Sequence, residues 1–188
     1  MEEERLTPSQ EQSLLRLARA TVTANAAGGD LPDLPEEAGL ERQAGAFVSL
    51  HADGRLRGCI GTFATDRPIR EVVREMAVAA SAEDPRFRPV APPEVPDLEV
   101  EISVLSPRRR VRDVGEIRVG THGLVISRGY HKGVLLPQVA TQYGWDRQTF
   151  LEQTCHKAGL PADAWKDPNA IIEVFTAQVF AEHAEASR

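Results

Sequence analysis

The stretch AFVSLHADGRLRGCIGT, residues 46–62, predicts a β-hairpin. Asp53-Gly54 favours a two-residue type I′ turn, because both residue types tolerate the positive φ that this turn requires. The runs on either side of the turn carry apolar residues on both of their faces. This pattern is typical of interior strands that are covered on both sides.

The turn also sets an expected register for the hairpin. A two-residue loop pairs Leu50 with Arg57 and Val48 with Cys59. Because side chains alternate along a strand, Arg57 and Cys59 then share one face. This register predicts a fixed cation within reach of the thiol.

Cys59 is the strongest candidate for a catalytic residue, as a nucleophile. A nucleophilic thiol needs a nearby cation, a histidine or a helix N-terminus, which Arg57 or a helix beginning at Pro68 could supply. Gly58 and Gly61 could remove side chains that would otherwise block a substrate. The alternative is a structural cysteine in a glycine-bent strand, since free cysteine is among the most buried residue types. Spacing alone favours the alternative.

Other polar residues could assist, and each also has a plainer interpretation. Glu99 and Glu101 could form an acidic wall or a solvated sheet face. After the strand that Pro137 ends, Gln138 could point into a pocket or belong to an ordinary connector. Candidate general bases, for each of which an exposed turn position is the simpler explanation, are His51, His122 and His131. His122 is the most suggestive of them, because the glycines of GTHG permit close approach.

No standard cofactor or metal motif is present in the sequence. Phosphate loops, dinucleotide fingerprints, zinc-protease helices and paired-cysteine motifs are absent. The two cysteines, Cys59 and Cys155, make neither a disulfide framework nor a zinc site. The five histidines, among them His183, are scattered without ligand spacing. We therefore predict no cofactor and no metal.

Composition excludes several classes of protein. The chain has 188 residues, 41% of them hydrophobic, and a net charge of −6, which argues against a nucleic-acid binder or an anionic-membrane binder. An arginine cluster at 108–112 lies in a connector, where a solvated loop is favoured over a phosphate or acidic-partner site. No apolar run reaches membrane-spanning length, and the acidic N-terminus is unlike a secretory signal. We expect a reducing cytoplasm.

The remaining segments predict an α+β fold with mostly antiparallel sheets and flanking helices, because hairpins occur without regular βαβ alternation. A capping box at Thr7 begins the first helix, and glycine ends it. Helices are expected over 8–28, from 68 and over 146–159; strands over 98–105, in glycine-broken segments after 116 and over 170–180; and an extended proline-rich connector over 85–96.

The motifs together resemble the AMMECR-domain family, whose prokaryotic members are called AmmeMemoRadiSam system protein A. The resemblance rests on FVSLHADGRLRGCIGTF, DPRFRPV, LEVEISVLSP, GTHGLVISRGYHKGVLLPQVA, YGWDRQTFLEQTCHKAGLP and FTAQVFAE. It covers roughly Gln12 to Glu182, and LRGCIG with LLPQV is specific to the family.

The resemblance implies one domain over residues 1–188, made of two unequal α+β lobes with a cleft between them. It places the following residues at that cleft: Arg57, Gly58, Cys59, Gly61, Asp84, Pro85, Arg86, Phe87, His122, Pro137 and Gln138. It supplies no reaction. It also implies a pathway shared with a Memo-like protein and a radical SAM protein.

Two functions fit these observations. The first is an enzyme that processes a small anionic molecule with Cys59 as nucleophile, Arg57 and Arg86 orienting the substrate, and His122 transferring a proton. The second is a non-catalytic binding or adaptor module that docks a ligand or protein through the same cleft. The first is favoured, because an arginine on a covered strand needs an anionic partner or a ligand.

Overall fold

The computed structural model describes residues 5–64 and 66–182; the others, including His183, lie outside the described residues. The chain divides into two compact units. The first comprises the chain up to Leu105 and the segment from Gln178 onward, and the second is Ser106–Ala177. Within the described residues, no helix combines the length and apolar character needed to span a membrane.

The described residues contain helices and two four-stranded sheets, which confirms the predicted α+β class. The α-helices are α1 Pro8–Ala27, α2 Ile69–Ala82, α3 Pro137–Gln142 and α4 Arg147–Lys157. The strands are β1 Ala46–Ala52, β2 Arg55–Thr62, β3 Leu98–Leu105, β4 Arg109–Arg110, β5 Gly123–Arg128, β6 His131–Leu135, β7 Ile171–Phe175 and β8 Ala177–Ala181.

The first unit contains the sheet β2-β1-β3-β8, with β1 antiparallel to both β2 and β3. The hairpin turn is confirmed, since Asp53 and Gly54 have φ values of 50° and 70°. Helices α1 and α2 pack against one face, where Val48, Leu50 and Ile102 are fully buried. The other face is half-buried, so the expectation that both faces are covered is wrong for this second face.

The predicted hairpin register is also wrong, because β2 contains a β-bulge. Cys59 pairs with Ser49 and Gly58 with Leu50, after which the register shifts. Arg57 is the extra residue and has no partner on β1. A bulge bends its strand and re-aims the side chain at that point.

Helix signals in the first unit agree with the sequence. The Thr7 hydroxyl accepts a hydrogen bond from the Gln10 N–H, and Gly28 ends α1 with a φ of 67°. The proline-rich connector differs from the prediction. It forms a 3₁₀ helix over Pro92–Asp97, which tolerates Pro92 and Pro93 because the first N–H groups of a helix need no partner within it.

The second unit contains the sheet β4-β7-β5-β6, whose core includes Leu124, Ile126 and Phe150. The Asp146 carboxylate accepts a hydrogen bond from Thr149 N–H at 2.7 Å, as a helix cap should. As expected, a strand ends just before Pro137, since β6 ends at Leu135, whereas the single strand predicted over 170–180 is wrong. Pro137 begins the short helix α3, and the predicted strand 170–180 is interrupted at Thr176 into β7 and β8, which belong to different sheets.

Candidate functional site

Cys59 lies on the half-buried face of the first sheet, opposite the face that packs on the helices. The residue is half-buried, and the Ser49 hydroxyl donates a hydrogen bond to its sulfur at 3.2 Å. Its peptide N–H donates to the Asp84 carboxylate at 2.9 Å, and Arg86 Nη2 donates to its carbonyl oxygen at 3.3 Å. The backbone at Cys59 is therefore held on both sides while the side chain stays accessible.

Asp84 is the anchor of this arrangement, and only 4% of it is exposed. Its carboxylate accepts hydrogen bonds from the Arg86 side chain at 2.7 and 2.9 Å and from the Arg86 N–H at 3.1 Å. These bonds, above all those from the guanidinium, together with that from Cys59 N–H hold the pKa of Asp84 well below its ordinary value. Asp84 is therefore ionised at neutral pH despite its burial.

Arg57 pairs with Glu94, whereas the predicted register placed it beside the Cys59 thiol. Its guanidinium donates to both oxygens of Glu94, at 3.0 and 3.2 Å, and to the carbonyl oxygen of Arg88 at 3.1 Å. The bond from Arg57 lowers the pKa of Glu94 to about 2. The bulge thus places the arginine in an ion pair, and no contact joins Arg57 to the Cys59 thiol within the described residues.

Phe87 lies between two cations. The guanidinium carbon of Arg57 is 5.9 Å from its ring centroid and that of Arg86 is 5.4 Å away. An aromatic face attracts a cation at such distances. Arg57, Arg86 and Phe87, three of the predicted substrate-binding residues, therefore form one cluster beside the Cys59 backbone.

Gly58 and Gly61, on either side of Cys59, each lie against a neighbouring group that leaves no space for a side chain. A Cβ at Gly58 would lie 2.2 Å from the carbonyl oxygen of Ala80 in α2. A Cβ at Gly61 would lie 2.2 Å from the Phe47 ring. Close packing explains glycine at both positions, and their predicted contact with a substrate stays a prediction.

The register brings together polar side chains that the sequence did not place together. Ser49 of β1 lies opposite Cys59 on one side and opposite Glu101 on the other, while His51 lies opposite Glu99. Side chains directly opposed across antiparallel strands have Cβ atoms about 4.5–5.5 Å apart. The half-buried face therefore carries a thiol, a hydroxyl, an imidazole and two carboxylates.

The sequence missed this grouping for a specific reason. The expected register paired Ser49 with Gly58, so it separated the hydroxyl from the thiol by one residue and by one face. The proximity of Ser49 to Glu101 depends on pairing with β3, which follows β1 by about fifty residues.

The other predicted residues belong to the second unit. The ring of His122 accepts a hydrogen bond at Nδ1 from the Arg118 N–H at 3.1 Å, within the turn before β5. Pro137 is buried at the first position of α3, and Gln138 is exposed next to it. Their roles in catalysis and substrate binding stay predictions.

The polar face of the first sheet does not form a metal centre. Across residues 5–64 and 66–182, no group of three or more His, Cys, Asp or Glu side chains is placed to hold a metal ion. The chemistry that this face can offer rests on its thiol, hydroxyl, imidazole and carboxylates.

The chain is similar to known proteins over nearly its whole length. The AMMECR1 family model matches residues 15–180. A protein of Methanothermobacter thermautotrophicus is 40% identical, with 94% of this chain and 96% of that protein covered. Protein TK0174 of Thermococcus kodakarensis is 41% identical, with 90% of this chain and 88% of that protein covered.

A solved structure shows the same likeness in three dimensions. The crystal structure of the uncharacterized protein PH0010 from Pyrococcus horikoshii has a TM-score of 0.82 and 37% identity, with 90% of each chain covered. The family model covers the Cys59 hairpin and the whole of α2. The chain belongs to the AMMECR1 family.

Proposed function

We propose that this chain is an enzyme that processes a small anionic molecule, with Cys59 as its nucleophile. The observation that carries the proposal is the setting of Cys59: the residue is half-buried, its sulfur accepts a hydrogen bond from the Ser49 hydroxyl, and its backbone is held by Asp84 and Arg86. A nucleophile that is fixed in position but open to solvent can meet a substrate without further ordering.

The chemistry is a group transfer to sulfur. The sulfur attacks an electrophilic carbon of the substrate, a carbon–sulfur bond forms, and the bond from that carbon to the leaving group breaks. The proton of the thiol passes to the leaving group. An O–H donor directed at the sulfur, as in Ser49, can stabilise the negative charge that develops there before the attack.

Charge around Phe87 supports an anionic substrate. Arg57, Arg86 and Arg88 carry three positive charges, and the carboxylates of Asp84 and Glu94 compensate two of them. The side chains of Arg86 and Arg88 are 55% and 81% exposed, so each retains N–H groups for a ligand. His122 is proposed as the proton-transfer residue. A pathway shared with Memo-like and radical SAM proteins is proposed from the family resemblance, and the cytoplasm is proposed as the compartment from the cysteine content.

A second function, a binding or adaptor module without catalysis, is favoured by a different observation. Arg57 and Arg86 are each already held by a carboxylate, and Ser49 is the side chain that hydrogen-bonds the Cys59 sulfur within the described residues. In this alternative Cys59 is a packing residue, and a ligand or protein docks on the exposed arginines.

Alkylation of the native protein tests the requirement of the enzymatic proposal that Cys59 be reactive in the folded chain. Iodoacetamide is added to the C155A and C59A variants, each of which retains one cysteine, over a range of pH, and modification is followed by intact-mass measurement. We expect the C155A variant to react at Cys59 at least about tenfold faster than the C59A variant reacts at Cys155, which is fully buried and whose thiol pKa burial raises. A Cys59 as inert as Cys155 in the folded protein would overturn the enzymatic proposal and leave the adaptor.

A further inference from the structure

The second unit contains an open pocket of about 600 Å³, a volume typical of sites for small ligands. Its lining combines two arginines, apolar side chains and an indole, and it is formed by the segment around β4, the segment before β7 and the start of β7 itself: Arg110, Val111, Arg112, Val114, Trp165 and Ile172. It shares no residue with the Cys59 face.

The arginines of the 108–112 cluster divide into two kinds. Arg108 pairs with Glu173 at 3.2 Å, and Arg109 pairs with Glu116 at 2.5 Å. The Arg110 and Arg112 guanidinium groups are exposed, and no hydrogen bond or ion pair engages them among the described residues. These two line the pocket. An unpaired guanidinium offers a planar set of N–H donors that matches a carboxylate or phosphate group.

The rest of the pocket suits an apolar group. Val111 and Ile172 are nearly fully buried members of the core and present apolar surface. Trp165 presents an aromatic ring, and its Nε1–H is buried without an acceptor among the described residues.

The one acidic side chain of the lining is already compensated. Asp167 accepts a hydrogen bond from Arg128 at 3.1 Å and another from the Asn169 N–H at 2.8 Å. Lys166 adds a further positive charge 5.1 Å from the Trp165 ring centroid. The pocket is therefore electropositive at its rim and apolar at its base.

We infer that this pocket binds a small organic oxyanion, in which a phosphate or carboxylate group meets Arg110 and Arg112 and an apolar body lies on Trp165 and Ile172. The pocket shares no residue with the Cys59 face, so this inference does not depend on the proposed group transfer. It uses the arginines that internal ion pairs leave available.

The test follows the two indole N–H signals in ¹⁵N–¹H spectra of the full chain, assigned with W165F. Phenyl phosphate and inorganic phosphate serve as probes. We expect phenyl phosphate to shift the Trp165 signal saturably, with the Trp145 signal unaffected. Inorganic phosphate, which lacks the apolar body, should bind at least about tenfold more weakly.

The double substitution R110Q/R112Q should weaken phenyl phosphate at least about tenfold. R118Q is the matched control, because Arg118 is an exposed arginine of the same unit outside the pocket lining. The remainder of each spectrum reports whether the variant is folded. No saturable shift at Trp165, or an equal loss of affinity in R118Q, would overturn the inference. Equal affinity for the two probes would overturn the apolar part of the site.

Discussion

The two faces of the first sheet are built from the same strands and do different things. On the face toward α1 and α2, Val48, Leu50 and Ile102 are completely buried. On the other face, Ser49 and Cys59 are half-buried and hydrogen-bonded to one another. Because side chains alternate along a strand, one residue packs against the helices and stabilises the fold, while the next faces the other side and is available for chemistry.

Gly58 and Cys59 show this division most sharply. Gly58 lies against the end of α2, where a methyl group would meet the Ala80 carbonyl oxygen at 2.2 Å, while Cys59 points to the open face. If the two faces differ in this way, substitutions on the face toward α1 and α2 should change the free energy of unfolding. Substitutions on the half-buried face should change the reactivity of Cys59.

The largest effect is expected for Gly58→Ala. The added methyl group contacts backbone atoms on a packed helix, which cannot move aside as a flexible side chain can. We expect a loss of about 3 kcal/mol in the free energy of unfolding, at the upper end for overpacked positions. Urea denaturation followed by circular dichroism measures it.

Gly29→Ala is the control for this substitution. A Cβ at Gly29 would lie 3.7 Å from its nearest neighbour, an ordinary contact, so the variant should stay within about 0.5 kcal/mol of the wild type. If Gly58→Ala is as stable as Gly29→Ala, the close approach of β2 and α2 does not explain the glycine.

The next effect is expected for Asp84→Asn. The substitution removes the charge that holds Arg86 and weakens the acceptor of the Cys59 N–H. A buried pair broken on one side costs about 3–5 kcal/mol, and we expect about 2 kcal/mol here because the Arg86 side chain is 55% exposed and can be solvated.

The contribution of Asp84 to the free energy of unfolding should depend on pH. The folded-state pKa of Asp84 lies below its ordinary value of 3.8, so its contribution is present above that value and is lost as pH falls through the folded pKa. Denaturation at pH 6 and at pH 3 should show wild type losing more stability than Asp84→Asn on acidification. A gap between the two that stays constant or widens toward pH 3 would contradict the assignment.

Local signals predicted the parts of this fold that neighbouring residues decide. The cap at Thr7 and the turn at Asp53-Gly54 each depend on interactions within four residues, and both are confirmed. The bulge at Arg57 depends on the approach of α2 to Gly58 and on Glu94, which is 37 residues away. The break at Thr176 lies inside a continuous run of strand-forming residues, so composition gave no sign of the change of sheet.

The same distinction applies to the candidate site. Cys59 stands out in sequence because glycines flank it, whereas its hydrogen-bond donor Ser49 is an ordinary residue in an apolar strand. Arg57 was placed beside the thiol by strict alternation, and one extra residue was enough to direct it to Glu94. A shift of one residue in strand register changes which side chains meet across the strands, whereas a helix cap depends only on residues close in sequence.

The smallest effect on stability, and the most informative one for the open face, is expected for Ser49→Ala. Ser49 is only half-buried, so the loss of its hydroxyl should cost at most about 1 kcal/mol in the free energy of unfolding. Alkylation of Cys59 by iodoacetamide should slow several-fold, because the donor that stabilises charge on the sulfur is removed. Ser49→Thr keeps the hydroxyl and should restore most of the rate. A rate unchanged by Ser49→Ala would mean that the Ser49 hydroxyl does not activate the thiol, and the proposal that this face holds an organised nucleophile would be contradicted.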